Sequence, residues 1–186
     1  MSGLESQDVY GLREFAKTSY DQKDTMHDWS HINRCYISSQ QVIKFNSLRC
    51  DNKLLVSGLI LHGVIYEEGM EGRVKEFLSG KAYKTDEIAK IIHVAWDSQK
   101  ESRPETLEGG ILHDAHLLEG DENFIITKVL VTGTARDQKL SQTVEFYFDC
   151  VAKLNPLYYF DTTKSEYENR LNRAQEFFSS LRRFTD

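Results

Sequence analysis

Three short stretches gather most of the side chains able to do chemistry. "TMHDWSHINR" (25–34) places His27, Asp28 and His31 within five residues, "LILHG" puts His62 in an apolar run, and "ILHDAHLLEG" carries His113, Asp114 and His116. All six histidines fall between residues 27 and 116. Imidazoles and carboxylates together suit divalent Mn, Fe, Co, Ni or Zn and leave positions open for water. A cation held this way lowers the pKa of water enough for attack on a phosphorus centre at neutral pH. A histidine inside an apolar helix must find a hydrogen-bond partner or a metal, because an unpaired buried polar group is costly. Taken alone, His62 reads as a satisfied core histidine; convergence with the other two stretches would change that reading.

Two local readings of the first stretch compete. If 27–31 is helical, His27 and His31 share a face, and "HDWSH" has the spacing of the zinc-protease helix motif with Asp28 where a glutamate base would stand. Alternatively Asp28 caps the helix that carries His31, and His27 lies ahead of it. Other chemistries lack their residues. "EGG" at 108–110 has no following Lys-Ser/Thr for a phosphate loop, and no Ser or Cys has a convincing activating partner. Cys35, four residues after His31, reads as a small buried apolar residue.

The elements that must position these groups read as helices. The only prolines are Pro104 and Pro156, which leaves long stretches free to be helical. Ile32, Cys35, Tyr36, Val42, Ile43 and Phe45 form a stripe at helical spacing. Asp51 is the expected N-cap of "NKLLVSGLIL", which is apolar on nearly every face and so predicts a central buried helix. Gly58 within it costs about 1 kcal/mol of helix propensity and points to close helix packing. Further helices are expected in "EGRVKEFLSGKA", stopped by Gly80, in "TDEIAKIIHVAWDSQ", capped by Thr85 or Asp86, and after Thr106. Three more are expected at 123–135, 141–154 and 165–184. "ITKVLVTGT" (126–134) has strand-like composition, but no partner strand is evident and it reads as helix or irregular. The expectation is an all-α single domain over 1–186, with a core in about 8–135 and packing helices in about 141–186.

Composition fits that picture. The 186 residues are 40% hydrophobic and 11% aromatic, with a formal net charge of −6. A globular core is expected. A grip on a nucleic-acid polymer is not, because that needs clustered positive charge. A small anion can still find a locally positive site. Three cysteines, Cys35, Cys50 and Cys150, without CxxC spacing, fit a reducing compartment better than a disulfide framework. The first residues show no apolar segment of the signal-peptide kind. The longest apolar run, 54–66, is too short to span a bilayer. A cytoplasmic protein is the expectation.

These motifs, in this order and at this spacing, resemble the HD-domain metal-dependent phosphohydrolase superfamily over residues 8–135. "HDWSHINR" is similar to the family's first-histidine segment, "LILHG" to the segment ending in its paired His-Asp, and "PETLEGGILHDAHLLEG" to its late segment. The resemblance implies an HD-domain-like helical bundle with a divalent metal at His31, His62 and Asp114. The family's aspartate after the second histidine is Gly63 here, and glycine supplies no ligand. Glu67, His116 or Asp28 could make up the loss, or two histidines and a carboxylate could suffice. In the competing reading, the domain binds a ligand or a protein without hydrolysing anything.

The implied activity is hydrolysis of a small phosphorylated molecule, with nucleotides among the candidates. Asp28 would orient an imidazole or the attacking water. Glu67, Glu68 or His93 would protonate the leaving oxygen. Lys128 and Arg34 would contact phosphate oxygens.

Overall fold

A computed structural model describes residues 7–99 and 103–185. Nine α-helices follow one another among the described residues, with no strand: α1 (Gln7–Asp21), α2 (Trp29–Phe45), α3 (Asn52–Leu61), α4 (Met70–Gly80), α5 (Thr85–Asp97), α6 (Leu107–Leu117), α7 (Phe124–Ala135), α8 (Leu140–Phe146) and α9 (Asp161–Arg182). A π-helical turn, Tyr147–Val151, continues α8. The fold is an all-α bundle.

Helix α3 is the axis of the main core. Residues 55–61 are all buried, and α1, α2, α5 and α6 pack around them. A helix that is apolar on every face has no other stable place. The close approach expected at Gly58 is present: a Cβ there would collide with a Val94 methyl of α5. Helix α1 lays Leu12, Ala16 and Tyr20 against this core, all at most 1% exposed. Helix α2 packs on α6, and that pairing sets residues 31 and 116 side by side.

A smaller core joins Val129 of α7, Val144 of α8, Tyr147, and Ala174 and Phe178 of α9. Ile125 and Leu171 touch both cores and join them. The strand-like composition of 126–134 is overridden by this packing, since strand propensity mostly reports fit to a sheet surface that is absent here.

Sequence capping signals are realised at three helices. Asp28 accepts from Ser30 N–H at 2.9 Å, Asp51 from Lys53 and Leu54 N–H at 2.9 and 3.1 Å, and Thr106 from Gly109 N–H at 3.1 Å. Helix α5 differs from expectation. Its cap is Lys84, whose N–H donates to Glu87 Oε2 at 2.9 Å, so Thr85 is already the first helical residue. Helix α9 starts at Asp161, before the expected 165, and the 141–154 segment changes from α to π geometry partway along.

Candidate metal centre

Three imidazoles meet where α2, α3 and α6 converge. His31 lies in the first turn of α2, His62 caps the C-terminus of α3, and His116 sits in the last turn of α6. Each has one ring nitrogen committed to an oxygen. His31 Nδ1 lies 2.8 Å from Glu119 Oε1, His116 Nδ1 lies 3.0 Å from the Ser98 carbonyl, and His62 Nδ1 faces the Leu59 carbonyl. Carbonyls and carboxylates only accept, so each Nδ1 carries the proton and each Nε2 a lone pair.

The Nε2 of His62 faces those of the other two rings. His62 Nε2 is 3.1 Å from His31 Nε2 and 3.0 Å from His116 Nε2. Neutral imidazoles so arranged repel, and a cation between them turns repulsion into attraction. Separations near 3 Å are those of neighbouring ligands about 2.0–2.1 Å from a metal. A ligand imidazole that gives its other N–H to a carbonyl or carboxylate is the usual arrangement around bound metals. Burial, reinforced by His31, pushes the His62 pKa down to about 3. Burial also lowers that of His31, despite Glu119. Both rings are therefore neutral and ligand-competent at pH 7. Cys35, fully buried, lies beside them, its Sγ 3.6 and 3.8 Å from the His31 nitrogens. One ligand atom each from His31, Cys35 and His116 lies within 4.8 Å of the others, so these residues can hold a metal.

Position 63 is closed rather than merely empty. A Cβ on Gly63 would come 2.6 Å from Tyr20 Oη and 3.0 Å from two of its ring carbons. That hydroxyl donates to the Ile60 carbonyl at 2.9 Å and accepts from Gly63 N–H at 3.2 Å. Burial raises the Tyr20 pKa well above its ordinary value, so the phenol stays neutral.

Asp114 does not join the centre. It is two residues from His116, hence on the far side of α6. Its carboxylate accepts from Tyr159 and Phe160 N–H, both at 2.9 Å, and lies 3.0 Å from His113 Nδ1. It ties the segment ahead of α9 to α6, and His116 takes the place the sequence reading gave it. Asp28 is spent as the α2 cap, which also removes His27 from the helix and dissolves the protease-like spacing. Glu67 does not reach back, because α3 stops at Leu61; it accepts from Ser19 Oγ at 3.1 Å and lies 3.7 Å from Lys23. Glu68 does not line the cavity beside the imidazoles. His93 sits near Asp97 and Glu105, also away from it.

Glu119 is the residue that sequence reasoning missed. It is 5% exposed and holds His31, Arg34 Nε at 2.8 Å and Lys128 Nζ at 2.8 Å. Burial works to raise its pKa, but the His31 hydrogen bond and the Lys128 charge hold it well below the usual carboxylate range. Arg34 is used up here: it also reaches Ser30 Oγ and the Met26 carbonyl, so it braces the centre and does not line the cavity. From α9, Arg170 donates to the carbonyls of Leu118, Gly120 and Asp121 and fixes the turn that presents Glu119. The signal available was "LLEG", an acid at the end of an apolar helix next to a glycine. Gly120 has φ +78°, the left-handed value that favours glycine.

The imidazoles open into a cavity of about 450 Å³, walled by Lys23, His27, Tyr66, Gln99 and Lys128. Gln99 donates to the His62 carbonyl at 2.7 Å and Lys23 to Tyr66 Oη at 2.7 Å. His27 Nδ1 lies 2.9 and 3.0 Å from the Asp24 carboxylate oxygens. Glu119 is shared by Arg34 and Lys128, while Asp24 and Glu67 face His27 and Lys23, so the cations around the site are matched by carboxylates.

No protein-family model and no curated protein matches this sequence. Among solved structures, the fold is similar to that of Bacillus subtilis YpgQ in complex with ADP, with a TM-score of 0.67 and 17% sequence identity over 92% of this chain and 94% of that one. No helix among the described residues is long and apolar enough to cross a membrane.

Proposed function

We propose that this chain is an HD-domain-type, metal-dependent phosphohydrolase that acts on a small phosphoester, nucleotides included, with His31, His62 and His116 holding a divalent transition metal. One observation carries this reading: the buried His62 Nε2 lies 3.1 and 3.0 Å from the Nε2 atoms of His31 and His116, while each ring's Nδ1 is committed to an oxygen. The similarity to a structure holding ADP supports a nucleotide-sized ligand.

When bound, a divalent cation supplies Lewis acidity and a lower pKa for water. The chain's own residues do the rest. Glu119 fixes the His31 tautomer and ring orientation. Lys128 and Lys23, both lining the cavity, bind phosphate oxygens as point charges. His27, oriented by Asp24, passes a proton from Nε2 to the leaving oxygen, the task the sequence reading gave to Glu67, Glu68 or His93.

The test combines metal content with turnover. The purified protein is analysed for bound metal, then assayed with p-nitrophenyl phosphate and a nucleotide panel under Zn²⁺, Co²⁺, Ni²⁺ and Mn²⁺. Stoichiometric metal with phosphate release, both lost in His116→Ala, supports the proposal; neither under any loading rejects it. The closure of position 63 by Tyr20 favours a second reading, a ligand-binding domain without hydrolysis. Metal and nucleotide binding without turnover would select it.

A further inference from the structure

A second cavity, of about 460 Å³, adjoins the first and shares His27, His116 and Lys128 with it. Its walls are mostly apolar: Phe124, Ile125, Val129, Phe146, Val151 and Leu154. Thr132, Asn155, Arg136 and Tyr167 add polar groups, and Glu119, neutralised by Arg34 and Lys128, lines its inner end. Such a size and lining are typical of sites for small organic molecules.

We propose that this cleft seats the aromatic body of the same phosphoester whose phosphate lies at the imidazole centre. The inference rests on the phosphohydrolase reading for its placement of the phosphate. Lys128 stands at the junction, lining both cavities, with its ammonium 2.8 Å from Glu119 and 5.9 Å from the centre of the Phe124 ring. A phosphate held there stands within reach of both cavities for its substituent. The first is lined by lysines, histidines and a glutamine as well as Tyr20 and Tyr66; the second is the more apolar of the two.

The π-helical turn builds that face. In an α-helix, Phe146 and Val151 would point roughly 140° apart. The wider winding, with Ala152 N–H donating to the Tyr147 carbonyl at 2.8 Å, brings residues five apart to nearly the same side. Phe146 and Val151 thus both line the cleft, and Leu154, which also lines it, is 57% exposed. Arg136 lies 5.5 Å over the Phe146 ring, which places a cation beside an aromatic wall. A flat ring entering the cleft covers apolar surface that otherwise faces water.

Equilibrium binding of 1-naphthyl phosphate and methyl phosphate to the full chain tests this, with Thr132→Trp to fill the cleft and Leu154→Asp to charge its exposed rim. We expect 1-naphthyl phosphate to bind at least about tenfold more tightly. Both variants should bring it to the methyl phosphate level while methyl phosphate binding stays unchanged. Equal affinity for the two compounds, or variants without effect, overturns the inference. Because this is a binding measurement, it separates from the activity reading. A cleft-dependent preference without turnover leaves this inference standing and rejects the hydrolase. Turnover without the preference does the reverse.

Discussion

Tyr20 and Gly63 are complementary: the phenol oxygen of one lies where the side chain of the other would begin, 2.6 Å from an ideal Cβ. A carboxylate at 63 is therefore excluded by packing as well as by the genetic choice of glycine. The imidazole centre is left as a set of neutral nitrogen donors beside a thiol. Such a set favours Zn²⁺, Co²⁺ or Ni²⁺ over Mn²⁺.

Gly63→Asp should not restore a fourth ligand. The added atoms meet a core tyrosine held by two backbone hydrogen bonds, and overpacking of this kind costs about 1–3 kcal/mol. Thermal melting should drop by several degrees, on the order of 2–4 °C per kcal/mol for a chain of this size. Metal affinity should not rise.

His116→Ala and Asp114→Asn should separate cleanly. The first removes a lone pair from the centre and should abolish stoichiometric metal. The second should keep the metal but lose about 1–3 kcal/mol of stability, because the Tyr159 and Phe160 amides lose a charged acceptor. Elemental analysis and denaturant melts on the two variants distinguish the roles.

Glu119→Gln should weaken metal binding about 10–100-fold, the usual cost of removing a carboxylate behind a ligand imidazole. It should also destabilise the fold, since Arg34 and Lys128 are left facing an uncharged amide. Calorimetric metal titration and urea unfolding measure the two effects.

The pH dependence of the chelated protein follows from His62. Its folded pKa is about 3, against about 6.5 for a free imidazole. Between those values the unfolded chain binds the extra proton and the folded one does not. Stability therefore rises with pH across that window and is level above it. Acidifying from pH 7 should cost up to about 1.4 kcal/mol per unit below pH 6.5 from this group alone. Glu119, held low in the fold, adds to the loss as pH falls through the ordinary carboxylate range and below. Urea midpoints measured from pH 7.5 to 4.5 check the direction.

The helices were legible because their signals are local. Asp51 and Thr106 cap where expected, and the apolar run of α3 has only one stable location. His62 was legible as a polar interruption of an apolar helix, and His31 through its close spacing to His27 and Asp28. The choice between Asp114 and His116 was not. Both are buried on one short helix that has core on every side, so periodicity does not say which face meets α2. Glu119 depends on contacts with residues 85 to 88 positions away, and its turn is fixed by Arg170 from the far end of the chain. Such long-range pairing leaves little trace in a local pattern. The Tyr20–Gly63 complementarity is hidden similarly, since nothing near residue 20 announces its partner.

Metal titration of the EDTA-treated, refolded chain followed by Co²⁺ absorption spectroscopy bears most directly on the converging imidazoles. One equivalent of Co²⁺ should give visible ligand-field bands that vanish in His31→Ala, His62→Ala and His116→Ala but persist in Asp114→Asn. No saturable binding, or bands unaffected by the three histidine variants, would contradict the centre described.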